Sequence, residues 1–271
     1  MAPDFDLSGK VIAITGGSGV LAARMAESMA RAGARIGLLD IRPDAANALA
    51  EKLRSIGADV LVCETDVLDR SSLEKALANI LQHWQSVDVL INAAGGNLAG
   101  ATISPEQDVF SLSMPDFSAV TRLNLDGTVL PSLVFGAQMA KQQKGVIINV
   151  SSMTASRAIT RVVGYSAAKA AVENFTRWMA VEMALKFGEG LRVNAIAPGF
   201  FIGEQNRRLL LKENGELTER GETIIRQTPM KRFGEAEELC GTIQWLASEA
   251  SRFVTGVVIP IDGGFSAFSG V

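Results

Sequence analysis

Apolar positions along this chain alternate between two patterns. Short, nearly unbroken runs occupy 10–15, 35–40, 59–65, 87–92, 145–150, 191–196 and 256–262. Such runs suit strands covered on both faces, because alternation with polar residues is needed only where one face meets water. Longer helix-forming stretches lie between them at 20–32, 43–56, 70–84, 116–141, 164–187 and 239–247. Gly9 and Gly16 bound the first strand, and Gly57 ends the second helix. Strands that alternate with helices from end to end predict an α/β fold, here a doubly wound, Rossmann-type sheet of seven parallel strands with helices on both faces and right-handed crossovers.

Composition narrows the picture. The 271 residues contain no linker-like tract, repeat or low-complexity segment, so residues 1–271 read as a single domain. A net charge of −3 without a basic cluster argues against nucleic acid and for small molecules and copies of the chain itself as partners. Two distant cysteines, Cys63 and Cys240, give neither a disulfide framework nor a spaced metal site, and no metal is expected. The first ten residues are polar and acidic, and no apolar run is long enough to span a bilayer, so we expect no membrane association and a cytoplasmic protein. His83, the sole histidine, ends a surface helix, which disfavours mechanisms built on a histidine acid or base.

Sites in doubly wound sheets lie beyond the carboxyl ends of the strands. Five such ends carry informative residues. Gly16, Ser18, Gly19, Val20 and Leu21 form a glycine turn that opens a helix, so backbone N–H groups and the positive helix end face a prospective pyrophosphate. Asp40 ends the second strand 24 residues beyond Gly16, near the offset of a carboxylate that holds an adenosine ribose; a helix-capping role is the alternative. Asp66 and Val67, then Asn92, Ala93, Ala94 and Gly95, follow the third and fourth strands, with small residues that permit close backbone approach. Ser152 follows the fifth.

The most telling stretch is 151–169. Tyr165, the only tyrosine, precedes Lys169 by four residues, so a helix stacks both side chains on one face, where an ammonium lowers the pKa of a phenol. Read alone, such a Tyr-Lys helix is equally an ordinary surface element. Together with Ser152 and Asn124, however, it resembles in type and spacing the catalytic tetrad of the short-chain dehydrogenase/reductase family. The glycine turn departs from that family's pattern, since its middle glycine falls one position early at Gly19 and Ala22 replaces its last.

The resemblance implies a role for each residue. Tyr165 is the acid/base, Ser152 steadies the substrate oxygen, Lys169 tunes the phenol and binds the nicotinamide ribose, and Asn124 holds a water through a local helix distortion. Asp66 and Val67 flank adenine, and Pro198 and Gly199 lie under the nicotinamide. Backbone groups of Ile202 stand in for a contact that relatives make through a threonine, because this chain has Gly203 there. NAD is expected in preference to NADP, since Asp40 repels a 2′-phosphate and Ile41 follows it. A homotetramer is implied as well.

On the substrate side, Asn92–Asn97 with Ala101-Thr102, Leu123–Thr128 and Pro198–Arg207 resemble the D-mannonate oxidoreductase (fructuronate reductase) branch. That resemblance implies interconversion of D-mannonate and D-fructuronate. A sugar acid needs a cation for its carboxylate and polar partners for its hydroxyls, which Asn97, Ser152, Arg157, Gln205, Asn206 and Arg207 could supply, though each arginine is equally a surface residue. Residues 200–232 are expected to cover the substrate. Another keto-sugar acid, a polyol or a 3-oxoacyl compound stays open as substrate, as does a non-catalytic dinucleotide-binding role.

Overall fold

The computed structural model describes residues 5–203 and 207–270. Its strands are β1 (Val11–Thr15), β2 (Arg35–Asp40), β3 (Val60–Glu64), β4 (Val89–Asn92), β5 (Gly145–Val150), β6 (Leu191–Pro198) and β7 (Val258–Ile261). They form one seven-stranded sheet in the order β3-β2-β1-β4-β5-β6-β7, and every neighbouring pair is parallel. The winding reverses between β1 and β4, which opens a crevice above their carboxyl ends.

The helices are α1 (Val20–Arg31), α2 (Pro43–Ser55), α3 (Arg70–Trp84), α4 (Met114–Gln142), α5 (Val163–Phe187), the short α6 (Arg207–Leu210), α7 (Glu219–Gln227) and α8 (Cys240–Ala247). The unbroken apolar runs have a direct explanation. Ile12 and Ile14 join a core with α1, α2 and α8, while Val11 and Ala13 face the opposite core, built with α3, α4 and α5. The inner strands therefore meet protein on both sides, so both sets of their alternating positions are mostly apolar, whereas the edge strand β7 is less covered and exposes Pro260.

The elements differ from expectation at their ends and by two helices that were not anticipated, α6 and α7, within residues 200–232. β4 starts later than anticipated, whereas β6 continues to Pro198. α4 starts at Met114 because Ser113 caps it, accepting from the Asp116 N–H at 3.4 Å, and Pro115 sits in the first turn where no N–H is needed. Segment 96–115, between β4 and α4, contains 3-10 turns at Ala99–Ala101 and Val109–Ser111. A further 3-10 turn, Ala236–Leu239, leads into α8.

One polar chain crosses the second core. Asn92 on β4 donates through Nδ2 to Ser132 Oγ of α4 and to Asn149 Oδ1 of β5, both at 2.8 Å. Asn149 Nδ2 donates in turn to Thr176 Oγ1 of α5 at 2.8 Å. All four residues are buried, so each bond stands in place of lost hydration, and together they set the register of α4 and α5 against the sheet. Asn149→Ala removes two of these bonds and leaves a cavity; we expect a loss of about 2–4 kcal/mol in urea-induced unfolding, against less than about 0.5 kcal/mol for an exposed control position.

Candidate active site

The turn after β1 approaches the segment after β4 more closely than any side chain allows. Gly16 has φ +61°, and a Cβ there would lie 2.8 Å from the Ala94 Cα. The buried Thr15 hydroxyl accepts the N–H groups of Ala93 and Ala94, each at 3.1 Å, and so ties the two strand ends together. Gly17 donates to the Leu39 carbonyl at 3.3 Å and Gly19 to that of Gly16 at 2.9 Å. Gly19 is the N-cap of α1 and offers no capping side chain. Donors of the first helical turn, at Val20 and Leu21, therefore point with the positive helix end towards the crevice. Ala22 is buried under them, in the place of the missing glycine.

Beside this turn stands the Asp40 carboxylate at the end of β2. Its Oδ2 accepts from the Ser18 N–H at 2.9 Å and the Ser18 hydroxyl at 2.6 Å, and its Oδ1 accepts from the Arg42 N–H at 2.9 Å. Burial opposes ionisation, yet the donors of Ser18 and Arg42 hold the carboxyl below the usual range. Arg42 Nη2 also reaches Ser18 Oγ at 3.0 Å. After β3, Asp66 accepts from the Leu68 N–H at 2.8 Å. Val67 is buried against Gly127 of α4, where a Cβ would come within 3.0 Å of it. A glycine cradle, an uncapped helix end and an ionised carboxylate in one crevice fit a dinucleotide with free ribose hydroxyls.

The reacting side lies above β4 and β5. Gly95 has φ +149°, and a Cβ there would fall 2.6 Å from Asn124 Oδ1 and 3.6 Å from Lys169 Nζ. Asn124, fully buried in α4, accepts the Gly96 N–H at 3.0 Å and donates to the Gly96 and Val120 carbonyls at 2.7 and 2.9 Å. Its side chain thus clamps the segment after β4, and α4 runs unbroken through it. Ser152 is buried just past β5, opening a 3-10 turn, Met153–Ala155, and accepting the Thr154 N–H at 3.3 Å.

Tyr165 stands in the first turn of α5, its phenol sensing the Ser152 hydroxyl, with the Lys169 amine 5.5 Å from its ring centre. Lys169 is buried, and its amine donates to the Val150 carbonyl at 2.7 Å. Loss of hydration lowers that amine to about 8. The phenol does not show the lowering expected from its neighbour. Burial pushes it up, with the Ser152 hydroxyl opposing, while the amine that was to acidify it is turned to the Val150 carbonyl.

The other anticipated positions divide. Pro198 ends β6, and Gly199 packs on the Asp262 backbone, where a Cβ would lie 2.6 Å from its Cα. Ile202 is half-buried beside them. Asn97 donates to Thr102 Oγ1 at 2.5 Å, while its buried Oδ1 has no partner. Arg157 is turned away to the Ser266 carbonyl, to which its Nε donates at 2.7 Å. Arg207 opens α6 and is exposed; Gln205 and Asn206 lie outside the described residues. Two positions were not anticipated. Thr15 is betrayed only by ending its strand before the glycine turn. Thr154, whose buried hydroxyl also lacks a partner, carries no sequence signal at all. Among the described residues no cluster of side chains could hold a metal ion, and no helix is long and apolar enough to cross a membrane.

A family model described as enoyl-(acyl carrier protein) reductase matches residues 18–266. The chain belongs to the short-chain dehydrogenase/reductase family, enzymes that oxidise CH–OH groups or reduce the corresponding carbonyls. It is 46% identical over 275 residues to the uncharacterized oxidoreductase UxuB of Bacillus subtilis, covering 98% of each chain. A crystal structure from Haemophilus influenza, provisionally named a D-mannonate oxidoreductase and holding NAD, superimposes with a TM-score of 0.91 at 41% identity over 98% of both chains. A gluconate 5-dehydrogenase from Burkholderia cenocepacia, in complex with NADP and tartrate, gives 0.85 at 30% identity, again over 98% of both.

The buried amine makes stability depend on pH in a defined direction. The folded pKa of Lys169 lies below its unfolded value, so the desolvation penalty is fully present below about 8 and is relieved as pH rises towards 10.5. Relative to Lys169→Met, which cannot titrate, the cofactor-free protein is expected to gain unfolding free energy between pH 8 and 10, by at most ~3 kcal/mol. Parallel pH profiles for the two proteins would contradict the assignment.

Proposed function

We propose that this enzyme transfers hydride between NAD and a secondary alcohol or ketone of a sugar acid, with D-mannonate and D-fructuronate as the pair. The observation that carries the reaction type is the meeting of Ser152, Tyr165 and Lys169 beyond β5, next to the glycine crevice. The substrate pair is supported by likeness to the provisionally named D-mannonate oxidoreductase and by the unpartnered polar atoms of Asn97 and Thr154, which suit a polyol.

NAD, when bound, supplies the hydride acceptor or donor. The N–H groups around Gly16, Ser18, Gly19, Val20 and Leu21 hold the pyrophosphate, and Asp40 accepts from the adenosine ribose. Asp66 and Val67 border adenine, while Asn92, Ala93, Ala94, Gly95, Pro198, Gly199 and Ile202 line the path to the nicotinamide. The ionised Asp40 disfavours a 2′-phosphate, hence NAD over NADP, and NAD also occupies the Haemophilus structure.

In oxidation the Tyr165 oxygen takes the substrate hydroxyl proton as its own proton leaves towards the Lys169 side, and Ser152 donates to the same substrate oxygen; in reduction the phenol gives its proton to that oxygen. Lys169 binds the nicotinamide ribose and, with its amine near 8, can pass a proton to or from the phenol side of the site. Asn124 keeps the chain after β4 in position over that amine. Asn97, Gln205, Asn206 and Arg207 are candidates for substrate hydroxyls and carboxylate. The working unit is a cytoplasmic homotetramer, which light scattering tests directly.

Steady-state assay with NAD and NADP against a panel of hexonates and their keto forms decides the substrate, and activity confined to steroids, acyl thioesters or neutral sugars would defeat this reading. Tyr165→Phe is expected to lower kcat by at least about 1,000-fold while NAD still binds, as followed by fluorescence titration. Near-normal turnover in that variant removes the phenol from the mechanism.

A further inference from the structure

We propose that Arg161 and Arg220 together form the seat for the substrate carboxylate, at the loop that leads into the helix of Tyr165. This inference rests on the sugar-acid reading above and names residues that it leaves unassigned.

The geometry begins with the chain between Ser152 and α5. It turns at Arg161 with φ +81°, a left-handed conformation that a long side chain adopts only when its surroundings hold it. Two neighbours do so. The Ile103 N–H donates to the Arg161 carbonyl at 3.0 Å, bringing in segment 96–115. Arg220, in the first turn of α7, donates through Nη1 to Thr160 Oγ1 at 3.2 Å, bringing in the segment that covers the site. Three stretches thus converge on Thr160 and Arg161, which directly precede the turn carrying Tyr165. None of the three belongs to the dinucleotide crevice.

What they assemble is positive and unneutralised. Arg161 and Arg220 are both half-buried, and among the described residues neither makes an ion pair. Burial first, and the charge of Arg161 second, hold the Arg220 guanidinium below its ordinary value, so the two cations sense each other. Among the described residues the carboxylate that senses Arg161 is that of Glu106, which is fully exposed and is influenced first by the Ser104 hydroxyl and least by Arg161. Two guanidiniums near enough to sense each other, one of them resting on the neutral Thr160 hydroxyl, are each raised in energy until an anion lies between them. A carboxylate suits them because each fork can donate two parallel bonds. The reacting carbon of D-mannonate lies towards the end of its carbon chain opposite the carboxylate, which accords with a seat set back from the phenol. Arg157, the other arginine of this loop, is already committed to the Ser266 carbonyl.

The test compares wild type, Arg161→Gln, Arg220→Gln and Arg220→Lys, each checked for an unchanged melting temperature. One arm measures KM and kcat for D-mannonate with NAD; the other measures tartrate binding to the NAD-loaded protein by calorimetry, which requires no turnover. Each glutamine variant is expected to raise the D-mannonate KM and the tartrate Kd by about 10- to 100-fold, with kcat falling much less than KM rises and the KM for NAD unmoved. Arg220→Lys should recover part of that loss. Unchanged KM and Kd in both glutamine variants would overturn the seat, as would a wild type that binds neither hexonate nor tartrate. A wild type that binds tartrate but oxidises no hexonate defeats the functional reading alone, and the variants' tartrate affinities still decide the seat.

Discussion

Withdrawal of the Lys169 amine from water, with the Val150 carbonyl as its anchor, is the constraint on which the rest of the site depends. An ammonium in that position lacks most of its hydration, so its proton is held loosely and its place is set by one main-chain oxygen rather than by a carboxylate. Because Val150 ends β5, the sheet itself positions the amine. Tyr165, one turn earlier on α5, then has its ring directly over it. The phenol and the amine are coupled through their shared surroundings, and burial outweighs any acidification that one gives the other.

Such an arrangement survives only if the backbone around it stays close and rigid. Glycines at 16, 95 and 199 allow main-chain atoms to approach within distances that a Cβ would fill. Threonine and asparagine side chains then fasten those approaches: Thr15 to the chain after β4, Asn124 to Gly96, and Asn92 and Asn149 to the helices behind. The same small side chains that leave room for a dinucleotide are thus held by polar side chains that leave few buried donors unpaired.

The proposed substrate side is built differently. It draws on segments with short 3-10 turns and brief helices, whose chain is held by isolated bonds such as Ile103 to Arg161 and Arg220 to Thr160. A rigid sheet that presents chemistry and irregular segments that present selectivity is a common division, since loops can change without disturbing the core. The exposed apolar residues of α4 and α5, among them Leu133, Trp178, Val181 and Leu185, lie on the outward side of this scaffold. They are the natural place for the subunit contacts of the proposed tetramer.

By itself the sequence determined the strand and helix order, the two-faced burial of the sheet and the identity of the residues at its carboxyl edge. Those features follow from local periodicity and from residue spacing, both of which act along the chain. Only the tertiary structure decided which polar groups are satisfied and which are not. The spacing of Tyr165 and Lys169 was legible, but the turn of the amine to Val150, and hence the direction in which the phenol shifts, depends on burial by β5 and α4. Arg157 was as plausible as any cation until the C-terminal segment came to lie against it. Arg161 and Arg220 are 59 positions apart with no motif to join them, and Arg220 reaches the hydroxyl of Thr160, next to Arg161, only because α7 folds back against the loop before α5. Charge, hydration and hydrogen bonding act through space, and their balance exists only once distant parts of the chain share one dry volume.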